Sequence, residues 1–267
     1  VVKYCDISLN SELKTIMALN KTAEKLNKVH EIILMFDLGD LREGIWFESD
    51  YLSIIDKILK LENIELVGIG TNLTCYGSII PTYNNLSILV KIKEKIESTF
   101  NMKLKIVSGG NSSSLHLLFK KEMPIGINSL RIGEAFYLGR ETAYETNLDF
   151  CFQDVFTLKA QIIELKTKPS LPFGERGVDA FGQKVEYEDK GLMKRAILGI
   201  GKQDVYHTNI WPIDDRINIL GSSSDHLILD VTQANYQLGD IIDFRMGYGG
   251  LLQLMTSNYI RKVYVND

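Results

Sequence analysis

Between Lys103 and Arg140 a short apolar strand, Leu104, Ile106 and Val107, stops at Gly109-Gly110 and runs into Asn111-Ser112-Ser113-Ser114. A helix begins near Leu115. A strand that breaks at glycines and feeds a helix start turns backbone N–H groups towards an anion, and the hydroxyls of Ser112 and Ser113 can add donors. A second glycine, Gly133, follows a second short strand at Ser129–Ile132, which carries Arg131. Two ordinary βα turns explain these residues. So does a phosphate cradle with a guanidinium beside it. For Arg131 itself the structural alternative is a pairing with Glu134 at the strand end. Asp37-Leu-Gly-Asp40-Leu-Arg42 ends another apolar run. Its carboxylates could bind a metal, pair with Arg42 or sit in solvent. His30, His116, His207 and His226 are scattered, so no histidine metal site is expected. No Gly-x-Ser-x-Gly elbow, Walker loop or His-Glu-x-x-His occurs.

The elements that must hold these residues repeat. Val1–Tyr4 reads as a strand end, and Ser8 or Asn10 can cap a helix from Ser11 to Lys28. Strands follow at Glu31–Asp37 and Glu65–Gly70, helices at Ser49–Leu61 and Pro81–Phe100. The run Glu31–Asp37 does not alternate, which suits a strand buried on both faces. Recurring βα units predict a parallel sheet with right-handed crossovers, whose carboxyl strand ends carry the site. Beyond Thr146–Asp154 the pattern changes to short strands at Val155–Leu165, Ala196–Ile200, Arg216–Leu220, His226–Val231 and Ile241–Phe244.

The chain has 267 residues, 45% hydrophobic and 24% charged, with a net charge of −4. That suits a globular protein of one large barrel or two domains. No basic block marks a nucleic-acid surface, and no apolar run is long enough for a membrane span. Cys5, Cys75 and Cys151 are odd in number and scattered, which fits a reducing cytoplasm.

Taken in order, Ile33-Leu-Met-Phe-Asp-Leu-Gly-Asp-Leu-Arg-Glu-Gly-Ile45, Val67-Gly-Ile-Gly-Thr-Asn-Leu73, Ser108-Gly-Gly-Asn-Ser-Ser113 and Leu130-Arg-Ile-Gly-Glu134 resemble the alanine racemase superfamily. These are the fold-type III pyridoxal-phosphate enzymes. Ile219-Leu-Gly-Ser-Ser-Ser-Asp-His226 and Gly239-Asp-Ile-Ile242 extend the likeness. Within the superfamily the chain is most similar to the ornithine racemase branch. The resemblance implies an α/β fold: a (β/α)8 TIM-type barrel, incomplete in this chain, over residues 1–148, then an all-β domain over 149–267. It implies a homodimer that shares its site across the interface, and pyridoxal 5'-phosphate as cofactor. The implied reaction interconverts L- and D-amino acids by abstraction of the Cα proton, with ornithine first among substrates. The other readings are a non-catalytic PLP-binding regulatory barrel, and a barrel lyase or aldolase acting on a phosphorylated substrate.

Carried over by residue, the resemblance implies Arg131 on the cofactor ring nitrogen. It implies a phosphate cradle from Ser112 and Asn111 with the backbone of Gly133 and Glu134, and Tyr264 on the phosphate. Asn72 stands near the ring, and Arg42 positions active-site groups. Asp225 lies where a partner's β domain closes over the substrate. An aspartate at the place of Arg131 would keep the ring nitrogen protonated, whereas arginine cannot accept that proton, which favours racemisation over transamination. The family's Schiff-base lysine sits on the first barrel strand, to which no segment here corresponds. Lys3 reads as an ordinary strand-end lysine, and the 267 residues as given are expected not to racemise. Phe173 stands at the place of the family's tyrosine base, leaving Asp179, Asp225 and His226 as candidate bases.

Overall fold

The computed structural model describes residues 1–182, 184 and 186–265. It divides into two compact units, Val1–Cys151 and Phe152–Asp267.

The first unit alternates strands and helices: β1 (Ile7–Asn10), α1 (Leu13–Lys25), β2 (His30–Asp37), β3 (Ile45–Trp46), α2 (Tyr51–Leu59), β4 (Ile64–Thr71), α3 (Tyr83–Phe100), β5 (Ile106–Ser108), α4 (Leu115–Phe119) and α5 (Glu134–Leu138). The sheet order is β1-β2-β4-β5, with β3 beside β2, and every pairing is parallel. Ile32, Leu34 and Phe36 of β2 pack with Ile16, Ile55, Ile58, Leu86 and Leu89 of the helices. On the other face Ile33 and Met35 meet Val67 and Ile106. Burial on both faces is the reason this strand does not alternate. Helix α3 opens with a capping box, Thr82 and Asn85 each accepting the other's backbone N–H, and closes at Asn101 in the left-handed region.

Three expectations shift. Val1–Tyr4 forms a turn, with Tyr4 N–H donating to Val1 O at 2.9 Å, and the first strand starts at Ile7. Ser8 and Asn10 do not cap α1. The residue before that helix is Glu12, which makes no side-chain cap, while the Ser8 hydroxyl meets His30 Nε2 at 2.8 Å and the Asn10 amide donates to Ser8. The segment Ser129–Ile132 is no full strand. It makes one parallel bridge, Ser108 with Ser129, and one bond from Arg131 N–H to Gly110 O at 2.9 Å.

The second unit is an antiparallel sheet in the order β8-β11-β6-β7-β10-β9. Its strands are β6 (Leu158–Pro169), β7 (Leu192–Leu198), β8 (Ile210–Pro212), β9 (Asn218–Ser222), β10 (Leu227–Asp230) and β11 (Ile241–Met246), followed by α6 (Tyr248–Thr256). Leu158, Ala160 and Ile162 alternate inwards along β6 against Ala196, Leu198, Leu229 and Phe244. Among the described residues no helix is long and apolar enough to cross a membrane.

Candidate active site

Because β2, β4 and β5 run parallel, their carboxyl ends and the loops that follow share one edge of the sheet. Arg131 reaches into that edge from the loop after α4. Its Nη1 donates to Ser108 Oγ at 2.6 Å and its Nη2 to the carbonyl of Thr71 at 2.8 Å. The guanidinium thus spans the ends of β5 and β4. It is half-buried, and that burial pushes its pKa below the ordinary arginine value; Arg42 adds to the shift and Glu43 opposes it. Arginine stays protonated regardless. Glu134 is engaged elsewhere: its Oε1 accepts from Arg140 Nη2 at 2.8 Å and Nε at 3.1 Å. The pairing of Arg131 with Glu134 is therefore not what the strand end contains.

The turn after β5 is knitted to both neighbouring loops. Asn111 Oδ1 accepts from Ser113 N–H at 2.8 Å, while its amide donates to Asn72 Oδ1 at 2.7 Å and Leu73 O at 2.9 Å. The Ser112 hydroxyl oxygen accepts from the N–H of Gly133 at 3.2 Å and of Ala135 at 3.1 Å. Ser112 is buried, and a Cβ built on Gly133 would meet nothing within 4 Å. Arg131, Ser112, Asn111, Gly133, Asn72 and, through the backbone of α5, Glu134 thus gather at one edge.

Arg42 sits on the loop after β2. Its Nη1 donates to Cys75 Sγ at 2.9 Å, and its Nε lies 3.1 Å from Glu43 Oε2. That Glu43 oxygen is buried and, among the described residues, has no partner in hydrogen-bonding geometry, so the contact with Arg42 is an ion pair and not a hydrogen bond. The two aspartates of the loop serve backbone. Asp37 Oδ1 accepts from the N–H of Gly39 at 2.8 Å and Leu41 at 3.2 Å. Asp40 is 1% exposed and accepts from the N–H of Cys75, Tyr76 and Ile79.

Asp225 and Tyr264 belong to the second unit. Asp225 is exposed in the turn between β9 and β10. The Ser224 hydroxyl, 3.1 Å away, holds its carboxyl below the usual carboxylate range, helped by His226, whose Nδ1 lies at 3.3 Å. Asp179 Oδ1 accepts from Phe181 N–H at 2.8 Å. Tyr264 and Phe173 are exposed.

Three contributors escaped the sequence reading. Ser108 and Thr71 hold Arg131, and the visible signal was their place as the last residue of each strand. Glu43 places a carboxylate in the field of both arginines, and its signal was adjacency to Arg42.

The family profile described as "Alanine racemase, N-terminal domain" matches residues 2–141. The chain is similar to the ornithine racemase of Acetoanaerobium sticklandii, 60% identical over 264 residues that cover 98% of this chain and 75% of that protein. The lysine racemase of Thermotoga maritima is 43% identical over 264 residues, covering 98% and 73%. In three dimensions the chain resembles the alanine racemase of Streptomyces coelicolor A3(2), with a TM-score of 0.66, 14% identity, and coverage of 92% of this chain and 64% of that one. The chain thus spans about three-fifths of that solved structure and about three-quarters of the ornithine racemase.

Proposed function

The chain belongs to the alanine racemase N-terminal domain family, and from that premise we propose that it is part of a pyridoxal-phosphate-dependent amino-acid racemase whose substrate is a diamino acid, ornithine before lysine. The order of substrates rests on the identity to the ornithine and lysine racemases. In this reading residues 1–148 are the carboxyl-terminal part of a (β/α)8 barrel and 149–267 a β domain of the alanine racemase type. The working form is a cytoplasmic homodimer that shares its site between subunits.

One observation carries the chemistry: a half-buried arginine, not a carboxylate, spans the ends of β4 and β5. The residues fit the cofactor. Arg131 offers five N–H groups, and two bonds to the strand ends leave others to donate to a ring nitrogen. Open space before Gly133 admits an anion at the loop that Ser112 ties down. Pyridoxal phosphate, when bound, supplies the electron sink that lets the Cα proton of the substrate leave. Arg131 would hold the ring nitrogen by donating to it, and a guanidinium has no lone pair with which to take a proton. A ring nitrogen left unprotonated in this way would favour return of the proton to Cα over transamination. Ser112, Asn111, Gly133 and Glu134 would cradle the phosphate, and Asn72, held by Asn111, would stand near the ring. Arg42 positions active-site groups. Tyr264 on the phosphate and Asp225 on the substrate side follow from the resemblance.

The test follows the circular dichroism of L-ornithine, L-lysine, L-alanine and L-serine over time with the full-length protein. Ornithine is expected to lose its signal fastest. Faster loss with alanine would remove the diamino-acid assignment, and no loss with any of the four would remove the racemase.

A further inference from the structure

We infer that Asp40 is a positioning residue, which sets the place of Arg42 in the site by pinning the loop Thr74–Ile79; its part in turnover rests on the racemase reading above.

Asp40 is a carboxylate taken almost wholly out of water, at 1% exposure. Burying such a charge is costly unless it is hydrogen-bonded. Among the described residues no salt bridge reaches it. Instead it collects main-chain donors from a single loop: Cys75 N–H at 3.3 Å from each oxygen, Tyr76 N–H at 2.9 Å, and Ile79 N–H at 3.3 Å. Hydrogen bonds to a charged acceptor are the stronger kind, and three from one segment fix both its height and its tilt.

The loop needs such a hold. Thr74 has φ +56° and Ser78 φ +55°, both in the left-handed region that non-glycine residues rarely occupy. Two residues of that kind in five persist only when surrounding structure over-determines them. Gly77 passes so close that a Cβ there would sit 2.7 Å from the Asp40 carbonyl oxygen. The loop is therefore clasped against the Asp40 turn by both side chain and backbone. The turn itself is set by Asp37, whose Oδ1 takes the N–H of Leu41.

What the clasped loop presents is Cys75, and Cys75 Sγ accepts from Arg42 Nη1 at 2.9 Å. Arg42 is otherwise a long, exposed side chain whose other close contact among the described residues is Glu43, its own neighbour. Among the described residues Cys75 is thus the fixed point from another loop that holds the guanidinium, and Asp40 holds Cys75. The line runs from Asp40 carboxylate through Cys75–Ile79 backbone to Arg42.

The test uses the full-length protein carrying Cys5→Ser and Cys151→Ser, with serine also at any cysteine outside these 267 residues, so that Cys75 reports alone. Asp40→Asn keeps shape but turns an acceptor into a donor facing N–H groups. Modification of Cys75 by dithionitrobenzoate should quicken about tenfold, and KM for ornithine should rise about tenfold with kcat changing by less than about threefold. In a double-mutant cycle, Asp40→Asn should add nothing to the KM of Arg42→Ala, because both act through one guanidinium. A simple structural aspartate would lower thermal stability yet leave Cys75 reactivity unchanged and give additive effects in the cycle; either result overturns the inference. If Asp40→Asn does not fold by circular dichroism, Asp40→Glu keeps the carboxylate but shifts it by one methylene, and the same two readouts decide. A parent protein without racemase activity overturns the functional reading instead, and Cys75 reactivity still decides whether Asp40 sets the loop.

Discussion

At Arg131 a single side chain couples the end of one strand to the end of another and faces the place where chemistry is proposed. Its two hydrogen bonds, to Ser108 and to the Thr71 carbonyl, are lost together on substitution. Arg131→Glu is expected to keep the fold, to slow racemisation about a hundredfold by loss of one aimed electrostatic donor, and to raise the share of keto acid formed from ornithine. Chiral chromatography and a keto-acid assay on the same sample measure both. An unchanged ratio of D-amino acid to keto acid would show that Arg131 does not touch the ring. Ser112→Ala probes the other half of the site. It strips the acceptor from the N–H groups of Gly133 and Ala135, which costs about 1–3 kcal/mol if they stay buried and unpaired. Added phosphate should restore part of that loss in melting temperature if the two N–H groups form an anion site. The types and order of these residues were readable, but ordinary βα turns use the same glycines and hydroxyls, and only the order of the motifs along the chain separated the two readings. Their partners were not readable. That Arg131 takes Ser108 and Glu134 takes Arg140 depends on which loops lie side by side, and spacing along a chain does not contain that distance.

Among the elements, the strands and helices that were read well are those whose signal is local. Strand β2 announces itself by an apolar run, and α3 by Thr82 at its start and Asn101 at its end. Thr82→Ala removes one side of the capping box and should cost about 1 kcal/mol, seen as a lower midpoint in urea denaturation with an unchanged slope. A loss below about 0.3 kcal/mol would mean that packing of Leu86 and Leu89 holds the helix start by itself. The misread elements are those decided by tertiary contact. Ser129–Ile132 looks like a strand, but asparagine and glycine contacts leave it one bridge; Asn128 Oδ1 has already taken the N–H of Val107. Strand β8 is three residues long and contains Pro212, so nothing local marks it; it exists because β11 offers Phe244 to Met246 as a partner. Helix α6 hides behind Gly249-Gly250, a pair that propensity counts against a helix. A Cβ on Gly250 would lie 2.6 Å from the Asn209 carbonyl oxygen, so the glycine is there for close approach. The parallel sheet followed by an all-β unit was legible; that the second sheet is antiparallel, and where single short elements begin, was not.

Over the whole molecule, stability should depend on pH through two histidines, one in each unit. His30 is 2% exposed with Nε2 on the Ser8 hydroxyl, and burial, first among the causes, lowers its pKa from the ordinary imidazole value. His207 bonds the Ser222 hydroxyl through Nδ1, and its pKa is likewise lowered, first by burial and then by Lys202. The sign follows from proton counting. As pH falls through about 6.5, the unfolded chain takes up protons at these rings before the folded chain does. The unfolded state binds more protons in that interval, so stability falls as pH falls there, and it levels off only below the folded values. Above about 7 both states carry neutral imidazole and these rings contribute no slope. Calorimetry at pH 7.5, 6.5 and 5.5 should therefore show a declining melting temperature. His30→Gln, which keeps a donor for Ser8, should lessen the decline of the first unit, and His207→Gln that of the second. Asp225, whose carboxyl is held below its ordinary value, adds its loss only at more acidic pH. A melting temperature that is flat from 7.5 to 5.5, or one that declines equally in both variants and the parent, would mean that the two rings admit protons in the folded state as readily as in the unfolded one, and that their burial is not what sets the acid edge of this molecule.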